Sequence, residues 1–384
     1  MGFTLVMPFL PLYFQQLGVE DVGAIAAWSG ASLGITPAVT ALCSPLWGAL
    51  ADRFGRKLMV ARSLVSFVFV MSAMAFVTAP WHVFALRFLQ GLFAGYGALT
   101  MAMIVESAPP DRVARAIGLV QTTQRLAPAV GPVVGGVLAQ IVGLRQAFLV
   151  SSVFYVVALA IVLGLYREPP AVRRRTEEGA SRVGWVASVM RLRNFPLLLG
   201  VVFCAQFADR SLGPILPVFV AELGTADRMV PLAAGLLFSA GALSGAVGHH
   251  IGGRLIDRLD PRRVILIGAG LALAGVACGA IARTVGWLVV AMPFMGLGVG
   301  LVMTAAYATA SRVIPPGVEG RAFGILSSAS LTGLAVSPLF SGVVGGSSRR
   351  GVFVVDLVVL GVMAVIVAMT MVRIEREPGA APVA

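Results

Sequence analysis

The sequence predicts an all-α membrane protein whose twelve transmembrane helices form two pseudo-symmetric six-helix bundles. Three observations lead to this prediction: the composition, the length of the apolar stretches and an internal repeat. Of the 384 residues, 58% are hydrophobic and 12% are charged, with a mean hydropathy of +0.92. A soluble domain carries roughly 25% charged residues. The apolar stretches reach the ~20 residues that cross a bilayer, and inside lipid such stretches are expected to be helical because their backbone groups must be paired internally.

The apolar stretches set the predicted order of the chain. The two bundles occupy residues 1–168 and 195–376, residues 169–194 form a cytoplasmic linker, and residues 377–384 are expected to be a disordered tail. Residues 1–17 have no basic leader and no cleavage site, which argues against a signal peptide. Met1 falls where a helix should already have begun, which indicates a late start codon or a truncated chain. The predicted spans are 1–17, 28–50, 58–79, 82–105, 114–140, 146–166, 195–221, 230–252, 264–282, 286–309, 322–345 and 351–373.

The internal repeat has an offset of about 205 residues. Pro8–Tyr13 returns as Pro214–Phe219, and Gly48–Arg53 returns as Gly253–Arg258. Two membrane-embedded halves related by duplication are typical of transporters, which place the substrate at the seam between the halves.

The net charge of +12 has a distribution that argues against nucleic-acid binding. All 29 basic residues except Lys57 are arginines, and most fall in loops or tails on one predicted side of the membrane. Because basic loops stay in the cytoplasm, both termini and the linker are expected there.

A strongly charged turn, Gly48–Lys57, separates the second and third spans. Gly55 permits the turn, and Asp52 can lie against a helix N-terminus. Three cations are expected to hold the loop in the cytoplasm: Arg53, Arg56 and Lys57.

This turn resembles, position for position, the G-x-L-x-D-R-x-G-R-K signature of the major facilitator superfamily. The resemblance implies the major facilitator fold, with a cytoplasmic gate loop that latches the halves in the outward-facing state. It also implies that Glu106 is the acidic partner of Arg56. The second copy is degenerate, since Asp260 and Pro261 stand in the place of Gly55.

The fifth span is rich in small residues, which let helices approach closely. It resembles the antiporter motif G-x8-G-x3-G-P-x2-G-G of the same family, which implies export. Ala127 departs from that motif, since it stands at the second glycine position. The matching positions are Gly118, Ala127, Gly131, Pro132, Gly135 and Gly136.

Ionisable residues present in only one half are candidates for the transport task. Arg87 lies inside the fourth span, where a charge is costly and indicates function. With Gly91 and Gly95 it resembles the family's R-x3-G-x3-G motif, which implies a role in proton transfer. Its repeat partner is Met292. Arg125 in the fifth span corresponds to a leucine at the equivalent position of the second half.

Asp209, near the middle of the seventh span, is the favoured candidate for proton coupling. A carboxyl group in a dry environment can gain and lose a proton near neutral pH. The alternative is a structural ion pair with Arg210, Arg125 or Arg87. Asp356 in the last span is interpreted as an interfacial partner of Arg350.

Polar and aromatic side chains are expected to line the central cavity. No cofactor is expected, and the three cysteines and the pair His249–His250 lack metal-ligand spacing. The cavity candidates are Gln15, Gln121, Gln124, Gln206, Tyr96 and Phe207.

Within the superfamily, the chain resembles the twelve-helix drug:proton antiporters of the MdtG type. The resemblance rests on Val6–Tyr13, Ser44–Gly48 and Gly213–Pro217. It implies proton-coupled export of hydrophobic or amphiphilic drugs by alternating access, in a bacterial inner membrane. The expected partners are a small-molecule substrate, protons and the lipid bilayer, and the expected state is a monomer. A proton-linked exporter of one sugar or metabolite, an importer, and a membrane enzyme or receptor-like scaffold remain alternatives. Catalytic motifs are missing from the sequence, so no enzyme activity is expected.

Overall fold

The structure is a computed structural model that describes residues 2–95, 103, 113–166, 190–192, 194–314 and 319–371. Within these residues every regular element is a helix. The predicted all-α class is therefore confirmed, and the helices are long and apolar enough for a multi-pass membrane protein.

The N-terminal half begins with a broken helix. Short turns of α1 and α2 flank a 3-10 turn at Met7–Phe9, where Pro8 and Pro11 interrupt regular hydrogen bonding. The helices of this half are α1 (Gly2–Val6), α2 (Leu10–Gln16), α3 (Val22–Phe54), α4 (Arg56–Met74), α5 (Pro80–Phe93), α6 (Val113–Val142) and α7 (Leu144–Leu165).

The C-terminal half repeats this order. Its first span is again broken, since α8 and α9 meet at an angle of 45°. The helices are α8 (Phe195–Ser211), α9 (Leu216–Glu222), α10 (Val230–Ile256), α11 (Pro261–Ala280), α12 (Val285–Val313), α13 (Glu319–Ser347) and α14 (Arg349–Thr370). A second 3-10 turn covers Asp227–Met229.

The repeat seen in the sequence is present in the helices. Starts that correspond lie about 205 residues apart, as for Arg56 of α4 and Pro261 of α11, or Leu144 of α7 and Arg349 of α14. Each half is therefore built from the same succession of helices.

The count of twelve spans is only partly confirmed. In the described residues, eight helices are long and apolar enough to cross a membrane, and the bent pair α8–α9 makes nine. The other three predicted spans correspond to the broken pair α1–α2, to α5, and to α6, whose segment Leu126–Val142 is a shorter apolar helix.

The two halves meet along two helix pairs, α3 with α13 and α6 with α10. The repeat relates α3 to α10 and α6 to α13, so the two seams are equivalent. We define the closed end of the bundle as the end at which α3 begins and α13 ends. Across the first seam Gly34 packs on Ala335, and across the second Gly136 packs on Pro231; a Cβ at either glycine would lie 2.6–2.7 Å from a backbone oxygen.

Each half has its own apolar core. In the N-terminal half, Tyr13 contacts Phe148 with ring centroids 4.9 Å apart. In the C-terminal half, Phe219 contacts Phe353 at 5.6 Å. Separate cores allow the halves to behave as two bodies that share only their seams.

Candidate functional site

The break between α8 and α9 lies beside the opposite half. A Cβ on Gly213, in this break, would lie 3.4 Å from Leu33 Cδ1 of α3. Asp209 and Arg210 occupy the last turn of α8, immediately before the break. The break that follows these two charged residues therefore lies at the boundary between the halves.

Asp209 forms an ion pair with its neighbour. Its Oδ2 lies 3.0 Å from Arg210 Nε, and the side chains of Arg210 and Asp209 are 45% and 37% exposed. Asp209 is ~21 Å along the seventh span from Phe195, at 1.5 Å per residue. Charged groups at such depth face a water-filled cavity or the bundle interior, since contact with lipid is costly. The structure thus has the ion pair with Arg210 that was the alternative interpretation of Asp209, and the role of Asp209 in proton coupling stays a prediction.

Arg87 is fully buried in α5 against α3. Its Nε donates to Ser32 O at 3.1 Å, and Nη1 donates to the Gln90 side chain. Thr36 Oγ1 in turn donates to Arg87 O at 2.8 Å. Close packing makes these bonds possible, because a Cβ at Gly91 would lie 2.7 Å from Thr36 O. Arg87 therefore holds the fourth span on the second.

Arg62 of α4 was not singled out by the sequence analysis. Its guanidinium carbon lies 3.3 Å from the ring centroid of Trp47 and 5.7 Å from that of Phe93. Nη2 donates to Phe93 O at 3.1 Å, and Trp47 Nε1 donates to Leu92 O at 2.7 Å. The signal that could have revealed it is a lone arginine inside an apolar helix, the same signal that marked Arg87.

The gate loop is a direct junction between α3 and α4. Gly55 has φ +92°, the conformation that favours glycine at such a turn. Lys57 Nζ donates to Leu163 O at 2.9 Å and to Tyr166 O at 2.6 Å, so it caps the end of α7 in its own half. Arg53 lies over the Phe54 ring at 5.3 Å. Glu106 and the side chain of Asp52 lie outside the described residues, so the pairing of Glu106 with Arg56 stays a prediction.

The antiporter motif lies in α6, where it contacts both halves. Gly131 packs on Thr4, and Gly135 packs on Leu5 O of α1. Ala127 O accepts a hydrogen bond from Thr4 Oγ1 at 3.0 Å. Across the seam, Gly136 and the carbonyl of Pro132 pack on α10, at Pro231 and Gly235 respectively. The small residues of the motif thus pack on α1 within the half and on α10 of the other half. Gly118 also lies in α6, in a part of the helix where side-chain surroundings are not described.

Of the predicted cavity residues, the structure describes the side chains of Gln15, Gln206 and Phe207, which lie in different surroundings. Gln206 is half-buried, with Oε1 3.5 Å from Ser330 Oγ of α13. Phe207 is buried against Phe203 and Phe340, at 6.1 and 5.9 Å between centroids. Gln15 is exposed in the last turn of α2 at the closed end. Tyr96 and the side chains of Gln121, Gln124 and Arg125 lie outside the described residues.

The histidines and cysteines carry no metal site in the part of the chain that the structure describes, where no group of three or more His, Cys, Asp or Glu side chains converges. His249 Nδ1 lies 2.8 Å from Thr304 Oγ1, which ties α10 to α12. Cys43, Cys204 and Cys278 are free thiols.

Two repeated helical halves, sealed against each other at one end and carrying charged side chains at their boundary, define a membrane transporter. The family model of the Major Facilitator Superfamily matches residues 1–248 and 198–383. The chain belongs to this superfamily.

Curated relatives are drug-efflux proteins. The chain is 29% identical over 348 residues to the "Multi-drug resistance efflux pump PmrA homolog" of Lactococcus lactis subsp. lactis (strain IL1403), which covers 90% of this chain and 85% of that protein. It is 30% identical over 361 residues to "Multidrug resistance protein MdtG" of Rahnella sp. (strain Y9602), with 94% and 87% covered. The predicted superfamily and the resemblance to MdtG-type proteins are confirmed.

A solved structure has the same fold. It is a bacterial homolog of the human lysosomal transporter Spinster in an inward-facing and occupied conformation, with a TM-score of 0.78 at 15% identity. The match covers 96% of this chain and 93% of the other. At this identity the match establishes the fold alone.

Proposed function

We propose that this protein exports hydrophobic or amphiphilic drugs in exchange for protons, by alternating access, in a bacterial inner membrane. The observation that carries the proposal is the Asp209–Arg210 ion pair. Both side chains are partly exposed, and they lie deep in the broken span α8–α9, close to the opposite half. The efflux relatives support the substrate class. The chain supplies both halves of the cavity, so we expect a monomer.

The direction of the seal supports alternating access. The cross-half contact of Gly136 with Pro231 lies at the closed end, where α6 ends and α10 begins. The other end is the one at which α3 ends and α13 begins. Most basic loops belong to that other end, which the positive-inside rule assigns to the cytoplasm. In the proposed cycle this conformation faces inward, and both termini are cytoplasmic.

The proposed coupling residues are Asp209 with Arg210, supported by Arg87 and Arg125. A proton that binds Asp209 would release Arg210 from its ion pair and change the charge presented to a substrate. The proposed roles of the gate loop and antiporter motif are to hold the seam in the two states, since their residues lie at helix junctions and seams. No covalent chemistry is needed for this cycle.

The test is substrate-driven proton movement in proteoliposomes, with a panel of lipophilic cations and antibiotics. We compare wild type with Asp209→Asn and with Asp209→Asn/Arg210→Gln, which leaves no unpaired cation. Asp227→Asn, on an exposed 3-10 turn, is the matched control. Proton movement with several compounds that is lost in both Asp209 variants and kept in the control supports the proposal.

Other outcomes separate the alternatives. Proton movement with only one sugar or metabolite would indicate a proton-linked exporter of that compound instead of a drug exporter. Coupling that survives both Asp209 variants would refute the role of Asp209 while keeping the exporter. Substrate uptake coupled to protons that move in the same direction would indicate an importer. Tight ligand binding without any transport would indicate a receptor-like protein.

A further inference from the structure

Asp356 lies in the second turn of α14 and is fully buried. Its place in the sequence suggested an interfacial pair with Arg350, and the structure contradicts that pairing. Arg350 instead donates to Ala282 O at 3.0 Å, beyond the end of α11. The Asp356 carboxyl faces the last turn of α8, where its Oδ2 lies 2.5 Å from Ser211 Oγ.

The Ser211 hydroxyl has two oxygen neighbours and one hydrogen. Its Oγ lies 2.5 Å from Asp356 Oδ2 and 3.0 Å from Ala208 O. Ala208 belongs to the last turn of α8, whose carbonyls lack the usual helical partners. The hydroxyl hydrogen can form a two-centre hydrogen bond with only one of these oxygens, so two such bonds form when the carboxyl donates to Ser211 Oγ and the hydroxyl donates to Ala208 O. The observed geometry therefore fits a carboxyl group that carries a proton.

The charges around Asp356 do not supply a counter-ion. On α8, Asp209 and Arg210 pair with each other. On α14, Arg349 pairs with Glu222 of α9. Among the described residues, Asp356 Oδ1 has no hydrogen-bond partner. The other charged residues of the helices that pack on α14 lie near helix ends. They are Arg262 and Arg263 of α11, Arg283 after α11, and Glu319 and Arg321 of α13; the side chains of Glu319 and Arg321 are outside the described part.

We propose that Asp356 is a second proton-binding site of the transport cycle, which holds its proton in the conformation described here. Ser211 is the last residue of α8, immediately before the 45° bend to α9. When this bend rearranges and water reaches the carboxyl, the O–H bond breaks, the proton passes to water, and the negative charge stays on the carboxylate. Because an ionised buried carboxyl without a partner is costly, release of the proton favours the rearranged state.

This inference rests on the proposed proton-coupled export, and its test separates the two. Reconstituted wild type and Asp356→Asn are compared in two assays with labelled tetraphenylphosphonium: movement against its gradient driven by a pH gradient, and exchange at equilibrium without one. The amide of Asn can still donate to Ser211 but cannot release a proton. We expect Asp356→Asn to keep exchange and to lose pH-driven accumulation, with Asp227→Asn unchanged in both assays.

A second measurement does not depend on transport. Infrared difference spectra between mildly acidic and mildly alkaline buffer should contain a protonated-carboxyl band that is missing in Asp356→Asn. In Ser211→Ala the band should remain and shift to higher frequency, because one hydrogen bond is lost. Ser211→Ala serves the same purpose if Asp356→Asn does not fold.

The outcomes are distinguishable. The wild-type protein could fail to move the cation while its spectrum has a carboxyl band that Asp356→Asn removes. That result would contradict the proposed function and keep the proton site. If wild type and Asp356→Asn accumulate the cation equally, the inference is overturned and the proposed function stands. A wild-type spectrum whose carboxyl bands are unchanged in both Asp356→Asn and Ser211→Ala also overturns the inference.

Discussion

Gly30 of α3 and Gly342 of α13 face each other across the seam so closely that a Cβ on Gly30 would lie 2.8 Å from Gly342 Cα. The same Cβ would also clash with Pro338 O, and a Cβ on Gly342 would lie 2.5 Å from Ala26 O. Backbone atoms are the obstacles on both sides, so neither helix can relieve the clash by turning a side chain. The closed end therefore depends on the absence of side chains at these two positions.

Gly30→Ala should shift the population away from the conformation that is sealed at this end, because the added methyl group separates α3 from α13. Spin labels at Glu20→Cys and Ser347→Cys, in a background with the three native cysteines replaced by serine, report the closed end. We expect a longer distance between these labels in Gly30→Ala. Gly361→Ala on α14, where a Cβ meets nothing within 4 Å, is the control and should leave the distance unchanged.

A Gly30→Ala protein that keeps the wild-type label distance would show that the seam adjusts elsewhere. Labels at Arg53→Cys and Arg258→Cys report the opposite end, where these exposed side chains occupy equivalent positions of the repeat. They should approach each other as the closed end opens, since alternating access couples the two ends.

Arg87→Leu should lower the free energy of unfolding by about 2–3 kcal/mol, because Ser32 O and the Gln90 side chain lose their donor in a dry contact. The double variant Arg87→Leu/Gln90→Leu should recover part of this loss, since it removes one stranded polar group. Unfolding in detergent measures both. Equal stability of the single and double variants would contradict the assigned hydrogen bond.

Arg62 and Trp47 should be energetically coupled. A double-mutant cycle with Arg62→Leu and Trp47→Leu should give about 0.5–2 kcal/mol, the range for cation–π pairs with partial desolvation. The cycle cancels the separate loss of the Trp47 hydrogen bond to Leu92 O. Additive single effects would indicate that the guanidinium and the ring merely lie near each other.

Lys57→Met should destabilise the protein by about 0.3–1 kcal/mol, because the cation at the end of α7 interacts favourably with exposed carbonyls. Lys57→Arg keeps the charge and should retain most of the stability. Thermal unfolding measures this effect. Because both acceptors belong to the same half as Lys57, the Arg53/Arg258 label distance should be the same in Lys57→Met and wild type; a change would place Lys57 in a contact between halves.

Much of the fold was readable from the chain because hydropathy and the repeat are local or periodic signals. Gly55 marked the turn between α3 and α4, since that backbone requirement belongs to a single residue. The superfamily followed from the gate-loop signature. The roles proposed for Asp209 and the other coupling residues remain predictions.

What only the tertiary structure decided is which side chains are partners. The spacing of Asp356 from Arg350 suggested a surface pair, yet the carboxyl faces Ser211, 145 residues earlier in the chain. Arg62 of α4 contacts Trp47 of α3, and Arg87 of α5 donates to Ser32 O of α3. A helical period tells which residues share a face, but not which helix lies opposite that face. The sequence by itself determined the helices and their duplication, and the packing of helices distant in the chain decided where each buried charge found its partner.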